Sequence, residues 1–393
     1  MDQISEFLTR GVANIIPGKP ELEKLLRSDE KLNVYNGIDP TNPHVHLGNA
    51  FPLRKLRTLV ELGHNVTFLI GDFTALIGDT SDKESERPVL TYEQIETNFQ
   101  TYKEQASKIL DFSKVQVVHN SEWLKKLNFE EVVKLTRHFT LNDFISRELI
   151  KTRLADGKSV SLPEVLYPVM QGYDSWYLDT DLQIGGTDQT FNMQAGRILQ
   201  RRLRDKESCV MSLQFLTGTD GRKMSKSWGN AVWLDDSPQD MFGKIMSVKD
   251  DLILEYYTLA TNASSEAIKN VKMRLDSGEN PMILKKELAK QIVEELHGPE
   301  PSKAAQDEFE TTIQKGELPA EIPTVTIPDL ETKSIVDILV TAKLASSKSD
   351  ARRFIEQGAV EINGQKVTSI NDQLITNNSV VRVGNRKFTR IQG

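Results

Sequence analysis

The chain has 393 residues, 38% hydrophobic and 27% charged, which is typical of a globular protein with two or three domains. Its net charge of −7 argues against a nucleic-acid-binding surface over the whole molecule. The sequence contains no apolar run of about 18 residues, so we expect no membrane span, and the single cysteine, Cys209, excludes an intrachain disulfide. Since the start also lacks the pattern of a secretory signal, we expect a cytoplasmic protein.

The first third of the chain predicts alternating helices and buried strands. An amphipathic helix with a break at Pro17-Gly18 is predicted over residues 1–30, followed by a short strand over 33–38 and a turn rich in Pro and Asn. A helix over 49–62 and a continuous apolar strand over 65–72 come next. Continuous apolar strands alternating with helices indicate a parallel sheet that is covered on both faces.

The pattern continues through the middle of the chain. We predict a helix over 92–111, a strand over 115–118, a mostly helical insertion over 121–165, a Gly-Gly turn and helix within 181–203, and a strand over 209–215. The fold class is therefore α/β, with a Rossmann-like doubly wound parallel sheet in a catalytic domain of residues 1–230.

Two further domains are predicted beyond residue 230. Residues 231–320 are helical and charged, a proline-containing linker covers 319–328, and residues 331–393 form a small α+β domain. Asn363-Gly364 between alternating residues predicts a hairpin there. This tail has ten basic against six acidic residues, so its net charge of +4 suggests a local RNA-binding surface.

Two motifs carry the chemistry. Lys223-Met224-Ser225-Lys226-Ser227 places two ammonium groups three residues apart between glycines. Such a run taken alone is typical of an exposed loop, but two mobile lysines also suit a triphosphate. His46-Leu47-Gly48-Asn49 leads from a strand into a helix, whose first N–H groups favour an anion and where Gly48 permits close approach.

Together with other segments, these motifs give a specific resemblance. The segments are Tyr35–Thr41, His46–Asn49, Leu76–Asp79, Tyr167–Asp174, Gln183–Gln189, the lysine loop and an S4-like tail at 333–390. Over nearly its whole length the chain resembles the bacterial tyrosyl-tRNA synthetases, which are class I aminoacyl-tRNA synthetases. The resemblance implies activation of L-tyrosine by ATP, with Mg²⁺ on the triphosphate, and transfer to tRNA(Tyr) by a homodimer.

The resemblance also implies a tyrosine site. Asp79, Tyr167 and Gln171 match the residues that hold the ammonium group, Tyr35 and Asp174 match those that face the phenol, and Gln189 matches a contact near the carboxyl group. Tyr167, Gln171 and Asp174 lie at helical spacing, so one helix face presents all three. Bound phenylalanine would leave the buried Asp174 unpaired, so we expect it to be rejected. This family is a standard example of such discrimination.

The implied nucleotide site draws on the two chemical motifs. Asp39, His46, Gly48, Asn49, Gly186, Asp188 and Lys226 match residues of the ATP site, with Gly186 and Asp188 at the ribose. The residues expected to stabilise the departing pyrophosphate are Thr41, His46, Asn49, Lys83, Arg87, Lys223, Lys226 and Ser227. Such groups act by placing positive charge where negative charge develops. We identify no protein ligand set for a metal.

Two positions depart from the family pattern. Asn49 stands where the family's second histidine is usual, and Asp82 stands where glycine commonly precedes the phosphate-binding lysine. We expect Asn49 to preserve activity by donating from its amide without titrating. Asp82 adds negative charge beside Lys83, which weakens ATP binding in this hypothesis. In the S4-like tail, RNA contacts are expected from Lys348, Arg352, Arg353 and Lys366.

Three alternatives remain open from the sequence. A tryptophan-specific relative would share the fold, but Tyr35 and Asp174 suit a phenol better than an indole. A retired synthetase, meaning a member of this fold that has lost catalysis and only binds RNA, is supported by Asn49 and Asp82 alone. An adenylating enzyme resembling pantothenate synthetase would share the two motifs but would not need the tail or the Tyr35–Asp174 pair.

Overall fold

The computed structural model describes most of the chain, in two compact units. The first unit comprises Met1–Asp235 with Val248–Leu288, and the second Asp236–Ser247 with Ala289–Gly393. The described residues are 2–78, 90–224, 228–314, 322–330, 333–367, 369–370, 375–384 and 387–393. None of the helices in these ranges is long and apolar enough to cross a membrane. The predicted division into three domains stays a prediction.

A six-stranded sheet forms the centre of the first unit. Its strands are β1 (Val12–Ile16), β2 (Asn33–Ile38), β3 (Asn65–Ile70), β4 (Gln116–His119), β5 (Leu182–Gly186) and β6 (Cys209–Leu213). They lie in the order β1-β6-β5-β2-β3-β4, with β1 antiparallel to β6 and every other pair parallel. The doubly wound α/β prediction is confirmed.

Helices precede, connect and follow these strands along the chain. Along the chain they are α1 (Gln3–Phe7), α2 (Lys19–Leu26), α3 (Leu47–Glu61), α4 (Tyr92–Ala106), α5 (Ser121–Leu124), α6 (Phe129–Thr136), α7 (Leu141–Ile145), α8 (Glu148–Ala155), α9 (Leu162–Tyr177), α10 (Thr190–Arg204), α11 (Pro238–Met246), α12 (Ile253–Ala260), α13 (Ser265–Asp276), α14 (Pro281–His297) and α15 (Pro299–Phe309). The buried face of α3 carries apolar side chains one turn apart, among them Leu53 and Leu56, as the spacing predicts.

One predicted element is wrong. Residues 12–16, which the sequence analysis places within a helix over 1–30, form the edge strand β1. Gly11, with φ +59°, and Pro17 bound this segment, and five residues between two breakers are too few to nucleate a helix. Its β-branched residues instead pair with β6, where Ile15 lies opposite Met211.

The sheet reverses its winding direction at β2. This strand pairs with β3 on one side and with β5 on the other, so the chain leaves the carboxyl ends of β2 and β5 in opposite directions. Asp39 directly follows β2, and Gly186 ends β5. Such a switch point opens a crevice where ligands bind in doubly wound folds.

The second unit contains α11, the end of α14, α15 and a five-stranded sheet with two more helices. Its strands are β7 (Thr324–Thr326), β8 (Val360–Ile362), β9 (Gln365–Lys366), β10 (Val380–Val383) and β11 (Lys387–Gln392), and its helices are α16 (Ile335–Thr341) and α17 (Lys348–Glu356). The sheet order is β7-β11-β10-β8-β9. Asn363 and Gly364, with φ of 48° and 82°, join β8 to β9, so the predicted hairpin is confirmed.

Candidate active site

A cavity of about 1020 Å³ lies at the switch point, beyond the carboxyl ends of β2 and β5. Ten residues that the sequence analysis assigns to the site line it, namely Tyr35, Asp39, Thr41, His46, Asn49, Tyr167, Gln171, Asp174, Gln189 and Lys223. Gly48, Gly186 and Asp188 are neighbours of lining residues along the chain. Asp79, Asp82, Lys83, Arg87, Lys226 and Ser227 lie outside the described residues.

Asp174 lies at the buried end of the cavity and is 2% exposed. Its carboxylate accepts hydrogen bonds from the indole Nε1 of Trp123 at 2.7 Å and from the amide Nδ2 of Asn120 at 3.1 Å. Burial nevertheless raises the pKa of Asp174 to about 7, because desolvation disfavours the charged form. The carboxylate is thus held by two donors and retains capacity for another.

Tyr35 stands beside this carboxylate. Its side chain is 3% exposed, and its hydroxyl donates to Oε1 of Gln183 at 3.2 Å. Burial and the negative charge of Asp174 raise the pKa of Tyr35 well above its usual value, so the phenol stays neutral. A neutral hydroxyl and a carboxyl group thus occupy the same apolar end, a combination that suits a polar ligand with one hydroxyl.

Helix α9 presents the predicted triad on one face. Tyr167, Gln171 and Asp174 all line the cavity, which bears out their helical spacing. The Tyr167 hydroxyl donates to Oδ2 of Asp39 at 2.8 Å, and Oδ1 of Asp39 accepts from the Thr74 hydroxyl at 2.8 Å. Asp39 thereby joins α9 to the carboxyl end of β2 and supplies a carboxylate near the centre of the cavity.

A buried hydrogen-bond chain connects the two carboxylates. Asn120 is 0% exposed, and its amide Nδ2 donates to the Thr74 hydroxyl at 3.1 Å as well as to Asp174. Since Thr74 also contacts Asp39, the chain runs from Asp174 to Asp39 through two side chains. Sequence analysis missed Asn120, Thr74 and Trp123, because single residues scattered along the chain give no motif. It placed Gln183 in a recognised segment but assigned it no role.

His46 and Asn49 form the entrance to α3. The backbone N–H of His46 donates to Oδ1 of Asn49 at 3.3 Å, so the Asn49 side chain caps the helix start from its third position. Burial lowers the pKa of His46 to about 4, with a contribution from the positive charge of Lys223. The imidazole is therefore neutral at pH 7 and acts as a hydrogen-bonding group rather than as a cation.

Lys223, the first residue of the lysine loop (Lys223–Ser227), is held by contacts of its backbone and side chain. Thr217 and Lys223 pair as an antiparallel bridge, and Asn230 donates from Nδ2 to the carbonyl of Lys223 at 3.1 Å. The ammonium of Lys223 lies 5.4 Å from the centre of the Phe215 ring. These contacts place Lys223 on the cavity wall.

The segment that follows the loop returns to the turn before α3. The backbone N–H of Leu47 donates to Val232 at 2.9 Å, and that of Leu234 donates to Val45 at 2.8 Å. Between them, the Trp233 ring packs against His46 at 5.8 Å between centroids. His46 and Lys223, which belong to the two chemical motifs and lie 177 residues apart in the sequence, therefore come together at one end of the cavity.

Gly186 has a steric role at the edge of β5. A Cβ atom at this position would lie 2.6 Å from Oδ1 of Asp188 and 2.9 Å from the Phe215 ring. Only glycine fits without displacing the carboxylate. The sugar contacts of Gly186 and Asp188 stay a prediction. Within the described part of the chain, no three His, Cys, Asp or Glu side chains are grouped to hold a metal ion.

The four residues predicted to bind RNA all lie in the second unit, at its small sheet and α17. Lys348 pairs with Asp337 at 2.7 Å and Arg353 pairs with Asp350 at 2.7 Å. Arg352 and Lys366 are exposed. Exposed ion pairs of this kind are weak, so the basic groups stay available to phosphates, and the RNA contacts remain a prediction.

Comparisons with known proteins show the family of the chain. The family model "tRNA synthetases class I (W and Y)" matches residues 27–314, and the model "Tyrosine--tRNA ligase SYY-like C-terminal domain" matches residues 313–391. The chain thus belongs to the class I tRNA synthetases that include the tryptophan and tyrosine enzymes.

Individual relatives show to which enzymes within this class the chain is similar. The chain is 40% identical over 391 residues to the tyrosine–tRNA ligase of Dehalococcoides mccartyi strain CBDB1, covering 99% of this chain and 98% of the relative. It is 41% identical over 391 residues to that of Thermotoga maritima, covering 99% and 97%. Within its class, the chain belongs to the tyrosine–tRNA ligases, which are ATP-dependent.

Solved structures show the same fold. A tyrosyl-tRNA synthetase from Archaeoglobus fulgidus in complex with L-tyrosine is similar with a TM-score of 0.61 and 23% identity, covering 77% of this chain and 98% of that chain. A C-terminally truncated mitochondrial tyrosyl-tRNA synthetase from Aspergillus nidulans gives a TM-score of 0.65 at 21% identity, covering 78% and 93%.

Proposed function

We propose that the cavity binds L-tyrosine with its phenol at Tyr35 and Asp174 and its ammonium group towards Tyr167, Gln171 and Asp79. The observation that carries this assignment is the buried Asp174 carboxyl group, which Trp123 and Asn120 hold in place. A phenol donates one hydrogen bond and suits the remaining acceptor capacity of this carboxyl group, whereas the phenylalanine ring would leave that capacity unsatisfied at a cost of about 1–3 kcal/mol. An indole also matches this position poorly.

ATP is proposed to occupy the opposite end. The first N–H groups of α3 face the phosphates, Gly186 and Asp188 take the ribose, and Asp39, Gly48 and Asn49 complete the nucleotide contacts. Thr41, His46 and Lys223 line the phosphate end. Lys83, Arg87, Lys226 and Ser227, which lie outside the described residues, are proposed to join them. Mg²⁺ is proposed to arrive with the triphosphate as part of the substrate.

The reaction proceeds in two steps in this proposal. The tyrosine carboxylate attacks the α-phosphorus of ATP, the bond to the bridging oxygen breaks, and pyrophosphate leaves while tyrosyl-adenylate forms. A hydroxyl of the terminal tRNA ribose then attacks the tyrosyl carbonyl, AMP leaves, and the hydroxyl proton is released. No protein nucleophile is needed, because the site contributes orientation and positive charge.

Pyrophosphate exchange into ATP tests this assignment. Purified protein is offered tyrosine, tryptophan or phenylalanine separately, and exchange is expected with tyrosine alone. Exchange with tryptophan would overturn the phenol assignment. An absence of exchange with all three, from protein shown to be folded by circular dichroism, would instead favour a retired synthetase and direct attention to Asn49 and Asp82.

A homodimer is proposed from the helical insertion. The described residues between 129 and 162 expose large apolar side chains, with Phe129 84%, Leu141 64% and Leu162 69% exposed. Exposed apolar side chains in one segment mark an interaction surface, and a second copy is the partner that the family resemblance implies. Light scattering should give twice the mass of one chain, which is 44.4 kDa. The double variant Phe129→Glu/Leu162→Glu should give the mass of the monomer.

The remaining assignments rest on the same resemblance. We propose that residues 231–320 and 331–393 form helical and S4-like domains that bind tRNA(Tyr), with Lys348, Arg352, Arg353 and Lys366 on phosphates. The protein is proposed to act in the cytoplasm, where a single unpaired cysteine is stable. Replacing Arg352 and Arg353 with Ala should raise the Kd for tRNA without changing pyrophosphate exchange, and should reduce the salt dependence of binding.

A further inference from the structure

Helix α12 holds Thr217 by every polar group that this residue has. Oε1 of Glu255 accepts the backbone N–H of Thr217 at 2.7 Å and its hydroxyl at 2.5 Å. The hydroxyl of Tyr256 donates to the Thr217 carbonyl at 2.8 Å. Two consecutive residues of one helix thus fix the N–H, the hydroxyl and the carbonyl of a single residue.

Thr217 precedes Lys223, the first residue of the lysine loop, by six positions. It pairs with Lys223 as an antiparallel bridge, and the turn between them closes through the N–H of Gly218, which donates to the Arg222 carbonyl at 2.7 Å. Because the bridge couples the two backbones, a shift of Thr217 moves Lys223 by a similar amount. The Glu255 carboxylate therefore acts on Lys223 through one intervening residue.

α12 is itself anchored at its other end. Arg10 donates to the carbonyls of Thr258 at 2.7 Å and Thr261 at 2.6 Å, and Arg54 of α3 donates to that of Ala260 at 2.9 Å. Guanidinium groups at the carbonyl end of a helix satisfy free acceptors and oppose its dipole. The helix is consequently a fixed support, and one of its anchors is on α3, which begins directly after His46.

We propose that Glu255 is a positioning residue for the pyrophosphate end of the site, acting through Thr217 on Lys223. This proposal rests on the proposed function, since it takes Lys223 to contact the departing phosphates. Glu255 does not line the cavity and needs no contact with a substrate. Its acceptor oxygen sets where the Lys223 ammonium lies when the triphosphate is bound.

The predicted consequence is selective. Without the acceptor, the N–H and hydroxyl of Thr217 lose their partner and the bridge to Lys223 loosens, while the tyrosine end of the cavity is unchanged. Small displacements of a catalytic group cost on the order of tenfold to a hundredfold in rate. Adenylate formation should therefore slow and the KM for ATP should rise, with the KM for tyrosine unaffected.

The test compares three variants of the full chain by tyrosine-dependent pyrophosphate exchange. Glu255→Ala should lower kcat at least roughly tenfold and raise the KM for ATP. Glu255→Gln retains an oxygen that accepts both hydrogen bonds, so it should stay within about threefold of the unmodified chain. Thr258→Ala, one turn along the same helix, removes only a hydroxyl bonded within the helix and serves as the matched control.

Several results would overturn the proposal. Unchanged kinetics in Glu255→Ala would do so, as would an equal loss in Glu255→Gln, because a charge rather than an acceptor would then be required. A parallel rise in the KM for tyrosine with a lowered Tm would indicate a general loss of structure. Failure of the unmodified chain to exchange pyrophosphate would contradict the proposed function instead, so the two failures are distinguishable.

Discussion

The two ends of the cavity are built by different means. The end proposed for tyrosine consists of side chains on β2 and α9, of which Asp174 and Tyr35 are almost fully buried and held by neighbouring side chains. The end proposed for the phosphates consists of the turn before α3 and Lys223, where Thr41 and His46 are only partly buried. Selection between similar amino acids requires rigid, desolvated groups, whereas a triphosphate is held by charges on backbone turns.

Because the two ends are built differently, substitutions at one end should affect the choice of amino acid and substitutions at the other should affect the rate of adenylation. A change at the buried end should alter which amino acid is used, because an acceptor is lost or left unpaired. A change at the phosphate end should slow adenylation of every amino acid alike, because charge stabilisation in the transition state is lost. The KM for tyrosine and the rate of adenylation therefore report on different ends.

The largest effect is expected from Lys223→Ala. Removing one group that stabilises developing charge costs about 3 kcal/mol in the barrier, which is a fall of more than a hundredfold in rate. The KM for tyrosine should stay unchanged. Single-turnover formation of tyrosyl-adenylate measures the rate, and Arg222→Ala provides a control, since Arg222 is a neighbouring cation engaged with Asp220 at 2.7 Å. A rate loss in the control as large as in Lys223→Ala would contradict the assignment.

Asp174→Asn should have the next largest effect and should act on the other substrate. A hydrogen bond to a charged group contributes about 1.5–3 kcal/mol, so kcat/KM for tyrosine should fall roughly tenfold to a hundredfold while the KM for ATP changes little. Discrimination against phenylalanine should narrow at the same time. The ratio of kcat/KM values for the two amino acids is the measurement, and an unchanged ratio would remove Asp174 from the phenol site.

The pH dependence of tyrosine binding should be smaller. The pKa of Asp174 is raised to about 7 by burial, with the charges of Asp39 and Asp72 also raising it and the bonds from Trp123 and Asn120 lowering it. As the pH falls through 7 the carboxylate becomes protonated and loses its acceptor strength, so the KM for tyrosine should rise by up to about tenfold per pH unit. The profile of Asp174→Asn should be flat over the same range.

The raised pKa of Asp174 also affects the stability of the free protein, but in the opposite direction: tyrosine binding should improve as the pH rises, whereas stability should fall. The folded-state pKa lies above the unfolded value, so the folded protein binds more protons between about pH 4 and pH 7. The contribution of Asp174 to the free energy of unfolding is therefore greatest at low pH and is lost as the pH rises to about 7. Urea denaturation of the unmodified chain and of Asp174→Asn across this range should show the difference.

Asn49→Ala is expected to have the smallest effect. It removes the side chain that accepts the His46 N–H, which should lower the free energy of unfolding by about 1 kcal/mol. Asn49→Asp keeps the acceptor and should retain most of that stability. Chemical denaturation measures both variants. Equal stability of Asn49→Ala and the unmodified chain would show that the cap contributes nothing.

Some of this arrangement could be predicted from the sequence because it depends on local patterns. The apolar runs gave β2 and β3, the spacing of Tyr167 and Asp174 gave one face of α9, and Asn363-Gly364 gave the hairpin. Each of these features is decided by residues within one or two turns of one another. The motif around His46 was likewise recognisable, since a strand, a turn and a helix follow in order.

The rest depends on pairing between distant segments. β1 is a strand because β6, about two hundred residues later, offers it an edge. Asn120 and Trp123 reach Asp174 across more than 50 positions, and Glu255 reaches Thr217 across 38. Such partners are polar residues without a motif, and only the packed fold brings them together.

The positions of two tryptophans have an optical consequence. The indole of Trp123 donates to Asp174 at the tyrosine end, while Trp233 packs against His46 at the phosphate end. Each substrate thus changes the polarity around a different fluorophore. With Trp123→Phe the emission response to tyrosine should fall while the response to ATP is kept. With Trp233→Phe, combined with Trp228→Phe because Trp228 also lines the cavity, the reverse should hold, so the protein can report the occupancy of each end without an added dye.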